Sequence, residues 1–360
     1  MFGNNNPNLW SKEDYLRRRN RIKMVTIVLL IVAACASVYS LSMTQYHLSF
    51  VRMLEILWDG IVGYTPVDDK DYIEHKIVWE MYVPRVAGGL IVGAILGMAG
   101  AVMQSVIHNP LADPYTTGIS SGAAFGVAIF TVYGISLFSL SSQWAMVTNA
   151  FLFAMIPCCA ILIFASMGRG TSSTMILVGI AIMMIFGSAT SLIMFSAEPS
   201  SFASIYEWNI GSLALIKYEN IPFLIAAIVI FAAALIPLSK YMTIMTAGDR
   251  LAKTVGVNAK YIRSVCFLVV SGCTAIAVSF TGSIGFIGLV IPHICRIIVG
   301  SSKGILILSG VVGGLMLMTC DIVARLIVLG GLPVGVITAA IGSPIFIYFL
   351  IRSRKNSYYG

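Results

Sequence analysis

Apolar runs of about twenty residues recur along the chain, separated by shorter polar stretches. A bilayer core about 30 Å thick is crossed by roughly 20 helical residues, and a helix satisfies its own backbone groups where lipid cannot. Such runs lie at about 24–43, 86–106, 115–134, 146–167, 173–197, 220–240, 262–283, 285–299, 304–327 and 333–351. The pattern predicts an all-α polytopic membrane protein with about ten transmembrane helices in one domain over 24–352. The third run is rich in glycine and the eighth is short. Residues 1–23 form a polar amino-terminal tail and 353–360 a carboxy-terminal one. The first run is longer than a signal-peptide core and has no small-residue cleavage pattern close behind it, so it is expected to stay attached.

Composition excludes a water-soluble fold: 58% of residues are hydrophobic and 11% charged, with a mean hydropathy of +0.91, against about 25% charged in soluble domains. The charges are unevenly placed. With the amino terminus inside, inner segments carry 17 of the 23 Lys and Arg residues, and the outer side carries five: Arg52, Lys70, Lys76, Arg85 and Lys217. Arg325 sits near a span end. Because positive charge is retained on the cytoplasmic side, both termini are expected to be cytoplasmic. The net charge of +8 is then a topology signal and points to no nucleic-acid partner. Seven cysteines fall inside predicted spans and read as small buried hydrophobes, neither disulfides nor a metal site.

The segments between spans carry the remaining information. An outer loop at 44–85 is acidic, and a second at about 198–219 is long enough for a small helix. The largest inner connection, Lys240 to Arg263 with the loop itself at 241–261, contains GDRLAKTVGVNAKYIR and offers a docking surface. Gly88, Gly89, Gly93, Gly97 and Gly100 in span two are spaced for close helix packing. HNPLADP, His108 to Pro114, should stop one helix and start the next. In Gly285 to Gly300, Pro292 frees a backbone carbonyl inside an apolar run, and His293 reads as a hydrogen-bonded core residue.

Catalytic equipment is missing. The chain has no G-x-x-x-x-G-K-[ST] or H-E-x-x-H pattern, so it is not expected to be an enzyme or to hydrolyse ATP. Asp321 is the one clear acidic candidate inside a span. It stands four residues before Arg325, a spacing that favours a neutralised pair over a proton relay. Scarcity of coupling groups argues for an external energy source and against a secondary transporter, the alternative from another class.

Five stretches, in order, resemble the iron-chelate and cobalamin importer permeases, the FecCD-type membrane subunits of ABC transporters: Val83 to Gly126, Trp208 to Leu213 (WNIGSL), Gly248 to Val257 (GDRLAKTVGV), Gly282 to Gly300 and Leu332 to Arg352. The resemblance implies a type II ABC importer permease fold in the cytoplasmic membrane of a bacterium or archaeon. It implies a dimer with itself or a paralogue, two ATP-binding cassette ATPases carrying ATP and magnesium, and an extracytoplasmic substrate-binding protein. No cofactor is bound by the chain itself. The implied cargo is a metal chelate, a ferric siderophore first, with cobalamin or haem as alternatives.

By the same resemblance, Asp249, Arg250, Leu251, Ala252, Val255, Gly256 and Val257 form the coupling helix that fits the ATPase, Gly256 letting backbones approach. Arg85 and Arg325 are the outer-face arginines that meet acids of the binding protein. Gln104, Asn109, Pro292 and His293 are candidates for the translocation pathway. Two departures concern docking: Tyr82 stands where the family adds a basic residue, and Gly331 where it commonly has an acid.

Overall fold

A computed structural model describes residues 12–43, 46, 48–64, 66, 68–138, 141–169, 171–245, 248–299, 304–328 and 330–357. Residues 1–11 and 358–360 of the two tails, Gly300 and Lys303 lie outside the described residues. The described residues are mainly helical: α1 (Lys12–Ser42), α2 (Phe50–Val62), α3 (Asp69–Lys76), α4 (Val83–Ile107), α5 (Ile119–Tyr133), α6 (Ser142–Phe164), α7 (Ser172–Phe195), α8 (Pro199–Ile210), α9 (Ile221–Met245), α10 (Asp249–Thr254), α11 (Ala259–Thr281), α12 (Ile287–Val299), α13 (Ile305–Ile327) and α14 (Val334–Ser357).

Seven helical stretches are long and apolar enough to cross a bilayer, and three shorter apolar ones, Ile119–Tyr133, Ile287–Ile298 and Val334–Phe349, correspond to the third, eighth and tenth runs. Boundaries differ from the sequence reading in three places, each for a local reason. α1 begins at Lys12, so the basic stretch is a helical extension of the first span. The third span starts late because Asp113 caps a 3-10 turn at Pro114–Thr117, and Gly118, at φ 89°, separates that turn from α5.

The third difference is at the outer end. The last part of the 44–85 segment is an extension of α4: α3, a π-helical turn at Ile77–Tyr82 and α4 form one 39-residue helix, Asp69–Ile107. At 1.5 Å per residue it is about 58 Å long, nearly twice the hydrocarbon core. The π turn directly precedes Pro84, whose ring cannot donate to the Glu80 carbonyl, and Val83 N–H turns to Val78 O instead.

α4 is the hub, packed by α13, α12, α9 and α11. Its glycines explain why. A Cβ on Gly93 would strike the backbone of Gly313, one on Gly97 the Ser309 carbonyl, and one on Gly100 the Gly288 carbonyl. The stripe brings α13 and α12 to backbone contact, which in lipid replaces the hydrophobic drive absent between helices. Around it lies the main core, including Leu96, Met103, Phe231, Phe267, Ile291 and Leu317.

Candidate functional site

At one end of the bundle α4 and α13 meet at one carboxylate, with α1 alongside. Arg85 Nε and Nη2 lie 2.9 and 2.8 Å from Asp321 Oδ1, and Arg325 Nε lies 3.0 Å from Asp321 Oδ2. Arg325 also donates to Ser40 Oγ at 2.6 Å and to Ser40 O at 3.3 Å, and its guanidinium stacks on the Tyr82 ring at 4.9 Å. Asp321 is 1% exposed and Arg325 2%. Arg325, expected to meet a binding protein, is buried in this chain and ties α13 to the end of α1 through Ser40. Arg85 is partly open. Tyr82 serves as the stacking face for Arg325.

At the opposite end of the bundle, the stretch Gly248–Val257 contains the short helix α10. Asp249 receives two hydrogen bonds from Arg263 Nη2, at 2.8 and 3.0 Å, and Arg263 Nε donates 2.9 Å to Val106 O in the last turn of α4. Arg263, which sequence reasoning had treated only as topogenic charge, is buried and ties α10 to α11 and α4. Val257 N–H bonds Ala252 O at 2.9 Å and Gly256 N–H bonds Lys253 O at 3.1 Å, a Schellman closure with Gly256 at φ 78°. An added Cβ on Gly256 meets nothing within 4 Å, so inside this chain the glycine answers the backbone conformation and not a close approach. Ala252 and Val257 face inward, while Arg250, Leu251 and Val255 are exposed. Beside them Asp249, Lys253, Gly256, Asn258 and Lys260 line a cleft of about 450 Å³.

The four pathway candidates each have partners within the chain. Gln104 is buried; its Nε2 lies 3.2 Å from Leu289 O and 3.4 Å from Gly288 O, and its Oε1 accepts from Arg296 at 2.6 Å. Gly288 O is the carbonyl that Pro292 leaves without its i+4 donor, so Gln104 and Pro292 form one structural joint between α4 and α12. His293 bonds Leu289 O at 3.1 Å and packs between Phe346 and Phe349 of α14. Asn109 caps the turn after α4, accepting from Leu111 N–H at 2.9 Å. All four are used in contacts within the subunit. In the same turn His108 bonds Met245 O, and the buried Asp113 accepts from Tyr115 N–H at 3.0 Å; burial pushes its carboxyl up to about 6.

An open groove lies elsewhere, between α5 and α7. Ser121, Met183, Met184, Gly187, Ser188, Ser191, Leu192 and Phe195 line about 770 Å³. Gly187, unlike the glycines of α4, has nothing within 4 Å of an added Cβ. Sequence reasoning missed this face. The signal was Gly187, Ser188 and Ser191, small and hydroxyl residues at one-turn spacing in an otherwise Met-, Ile- and Leu-rich span.

A glycine-sutured helical bundle with an exposed inner-end helix and one uncharged open groove is the build of a membrane permease. Residues 28–352 match the FecCD transport family, and the chain belongs to that family. It is 34% identical over 279 residues to an iron chelatin transport system permease of Helicobacter pylori, covering 77% of this chain and 83% of that one. Similarity to the cobalamin import permease BtuC of Halobacterium salinarum is 34% over 282 residues, 78% and 74% of the two chains. Similarity to the molybdate import permease MolB of Haemophilus influenzae is 29% over 338 residues, 92% and 96%. Among solved structures, a metal-chelate type ABC transporter in an inward-facing conformation superposes with a TM-score of 0.79 and 25% identity, over 92% of this chain and 99% of the other. The protein is thus a multi-pass ABC importer permease of the metal-chelate and cobalamin type.

Proposed function

We propose that this permease carries a ferric siderophore inward, as one of two permease chains around a shared pathway, driven by two ATPase subunits below and supplied by a substrate-binding protein outside. The observation that carries the cargo reading is the α5–α7 groove. Its walls offer hydroxyls and methionine sulfurs on an apolar surface without a charged side chain, which suits a bulky, mostly apolar chelate. A free oxyanion such as molybdate would need cationic or converging N–H donors. A bare metal ion would need ligands, and among the described residues no group of three or more His, Cys, Asp or Glu could hold one.

The exposed Arg250, Leu251 and Val255 surface of α10 is the platform for the ATPase. Arg85, partly open at the outer end, is placed to receive an acid of the binding protein. The Lys and Arg distribution supports cytoplasmic termini, with α10 on the same side. The test is ATP-dependent uptake into liposomes holding the permease with its ATPase and binding protein. Radioactive iron delivered as a ferric siderophore should accumulate, and excess cobalamin, haem or molybdate should not compete. Accumulation of cobalamin, haem or molybdate without ferric siderophore would overturn the cargo assignment while leaving the importer class intact.

A further inference from the structure

α2 has three sides. At 100° per residue, Phe50, Val51, Leu54, Trp58, Ile61 and Val62 share one arc, and all are exposed, Trp58 at 66% and Ile61 at 71%. Arg52, Glu55 and Asp59 form the polar edge. Arg52 is held there by Glu74 at 2.9 Å, by Asp71 and by Glu55 at 3.3 Å, which straps α3 alongside. The third side is fixed: Met53 and Ile56 are fully buried, Met53 among Leu41, Tyr82, Val86 and Met318, and Trp79 Nε1 donates 3.0 Å to Ile56 O. Those partners stand at the ends of α1 and α13 and at the start of α4, so α2 packs across that end of the bundle.

We propose that α2 is an interfacial helix whose Phe50–Val62 arc sits in the outer leaflet, just beneath the headgroups, with lipid as its partner. Three observations fix the occupant. The arc continues the exposed apolar surface of α1, because the Phe50 ring lies 6.3 Å from Tyr39, itself half exposed on that helix. It bears no charged residue: the charges of α2 all stand on the other edge, where Arg52 and Asp59 engage α3 and Glu55 pairs with Arg52, whereas a protein-docking face would use them for register. Trp58 on the arc and Tyr64 after the helix are the residue types that settle at the membrane–water boundary. An apolar face of this kind enters about 5–10 Å below the surface. Through Trp79 it sets the depth of the long α3–α4 helix, so the lipid contact steadies the outer rim of the permease. The inference rests on the membrane-spanning reading of α1, α4 and α13 and is independent of the cargo.

The test is tryptophan quenching in the full transporter in lipid nanodiscs, taking the Trp58 signal as wild type minus Trp58→Phe. Bromines placed high on the acyl chains should quench that signal about twofold or more over bromines at the chain ends, and aqueous iodide should leave it unchanged. Strong iodide quenching would put the arc in water, and protection from both quenchers would put protein over it. Loss of bromine quenching on adding the binding protein would make it that partner's surface. Any of these three results overturns the assignment.

Discussion

Asp321 and Asp113 are both buried carboxylates, and their neighbours give them opposite effects. Asp321 lies between two guanidiniums, so its burial is offset by four charge-assisted contacts. Asp113 caps a turn and, among the described residues, has no cation beside it; burial lifts its carboxyl from an ordinary 3.8 to about 6. The folded chain therefore holds more protons than the unfolded chain between those values. The Asp113 charge opposes folding above that window, and its penalty fades as pH falls through 6 towards 4. Asp113→Asn keeps the acceptor for Tyr115 N–H and removes the charge. It should raise the melting temperature at pH 8, by the equivalent of up to roughly 3 kcal/mol, with the gain shrinking steadily towards pH 4; no gain at pH 8 would show that the charge is compensated. The pairing of Asp321 with Arg325 was legible because four residues is one helical turn. Arg85 and Ser40 were not, since they reach that carboxylate and guanidinium from 236 and 285 residues away.

Among the elements, glycines of similar appearance do three different things, and only their surroundings separate them. Gly93, Gly97 and Gly100 of α4 meet backbone on α13 and α12, Gly187 of α7 faces an open groove, and Gly256 holds a left-handed cap on α10. Spacing alone made the α4 stripe readable as packing, because repeated small residues three to five apart fit one helix face. It could not tell Gly187 from them, since what matters there is the absence of a neighbour. For Gly256 the conformation predicts a graded series. A left-handed residue with a Cβ costs about 1–2 kcal/mol, and asparagine tolerates that region better than a β-branched residue. Gly256→Val should loosen the α10 closure, leaving membrane insertion normal while ATP hydrolysis no longer responds to the loaded binding protein. Gly256→Asn should keep most of that response. If asparagine uncouples as fully as valine, the glycine is needed for close approach to the ATPase and the conformational account fails.

Across the whole molecule, the ordered motifs and the run of apolar segments made the bundle legible, but not the ties between its two ends. The inner end is joined by one side chain, Arg263, which grips Asp249 of α10 and the last-turn carbonyl of α4 at Val106. α4 in turn is locked to α12 and α13 by backbone contact and rises unbroken into α3, past the Arg85–Asp321–Arg325 knot. With an ATPase docked on α10 as proposed, a push on that helix has one direct hydrogen-bonded route to α4, the Arg263 guanidinium, beside the packing of Ala252 and Val257 into the core. Arg263→Lys keeps the charge but cannot span both acceptors with a planar fork, so it should insert and assemble while moving several-fold less cargo per ATP hydrolysed. Arg263→Ala should lower that ratio further and also reduce thermal stability, because Asp249 and Val106 O both lose a donor. Uptake and ATP consumption measured together in liposomes decide the matter. A lysine variant with the wild-type ratio would mean that force reaches α4 by another route, through packing of α9 or α11 against it.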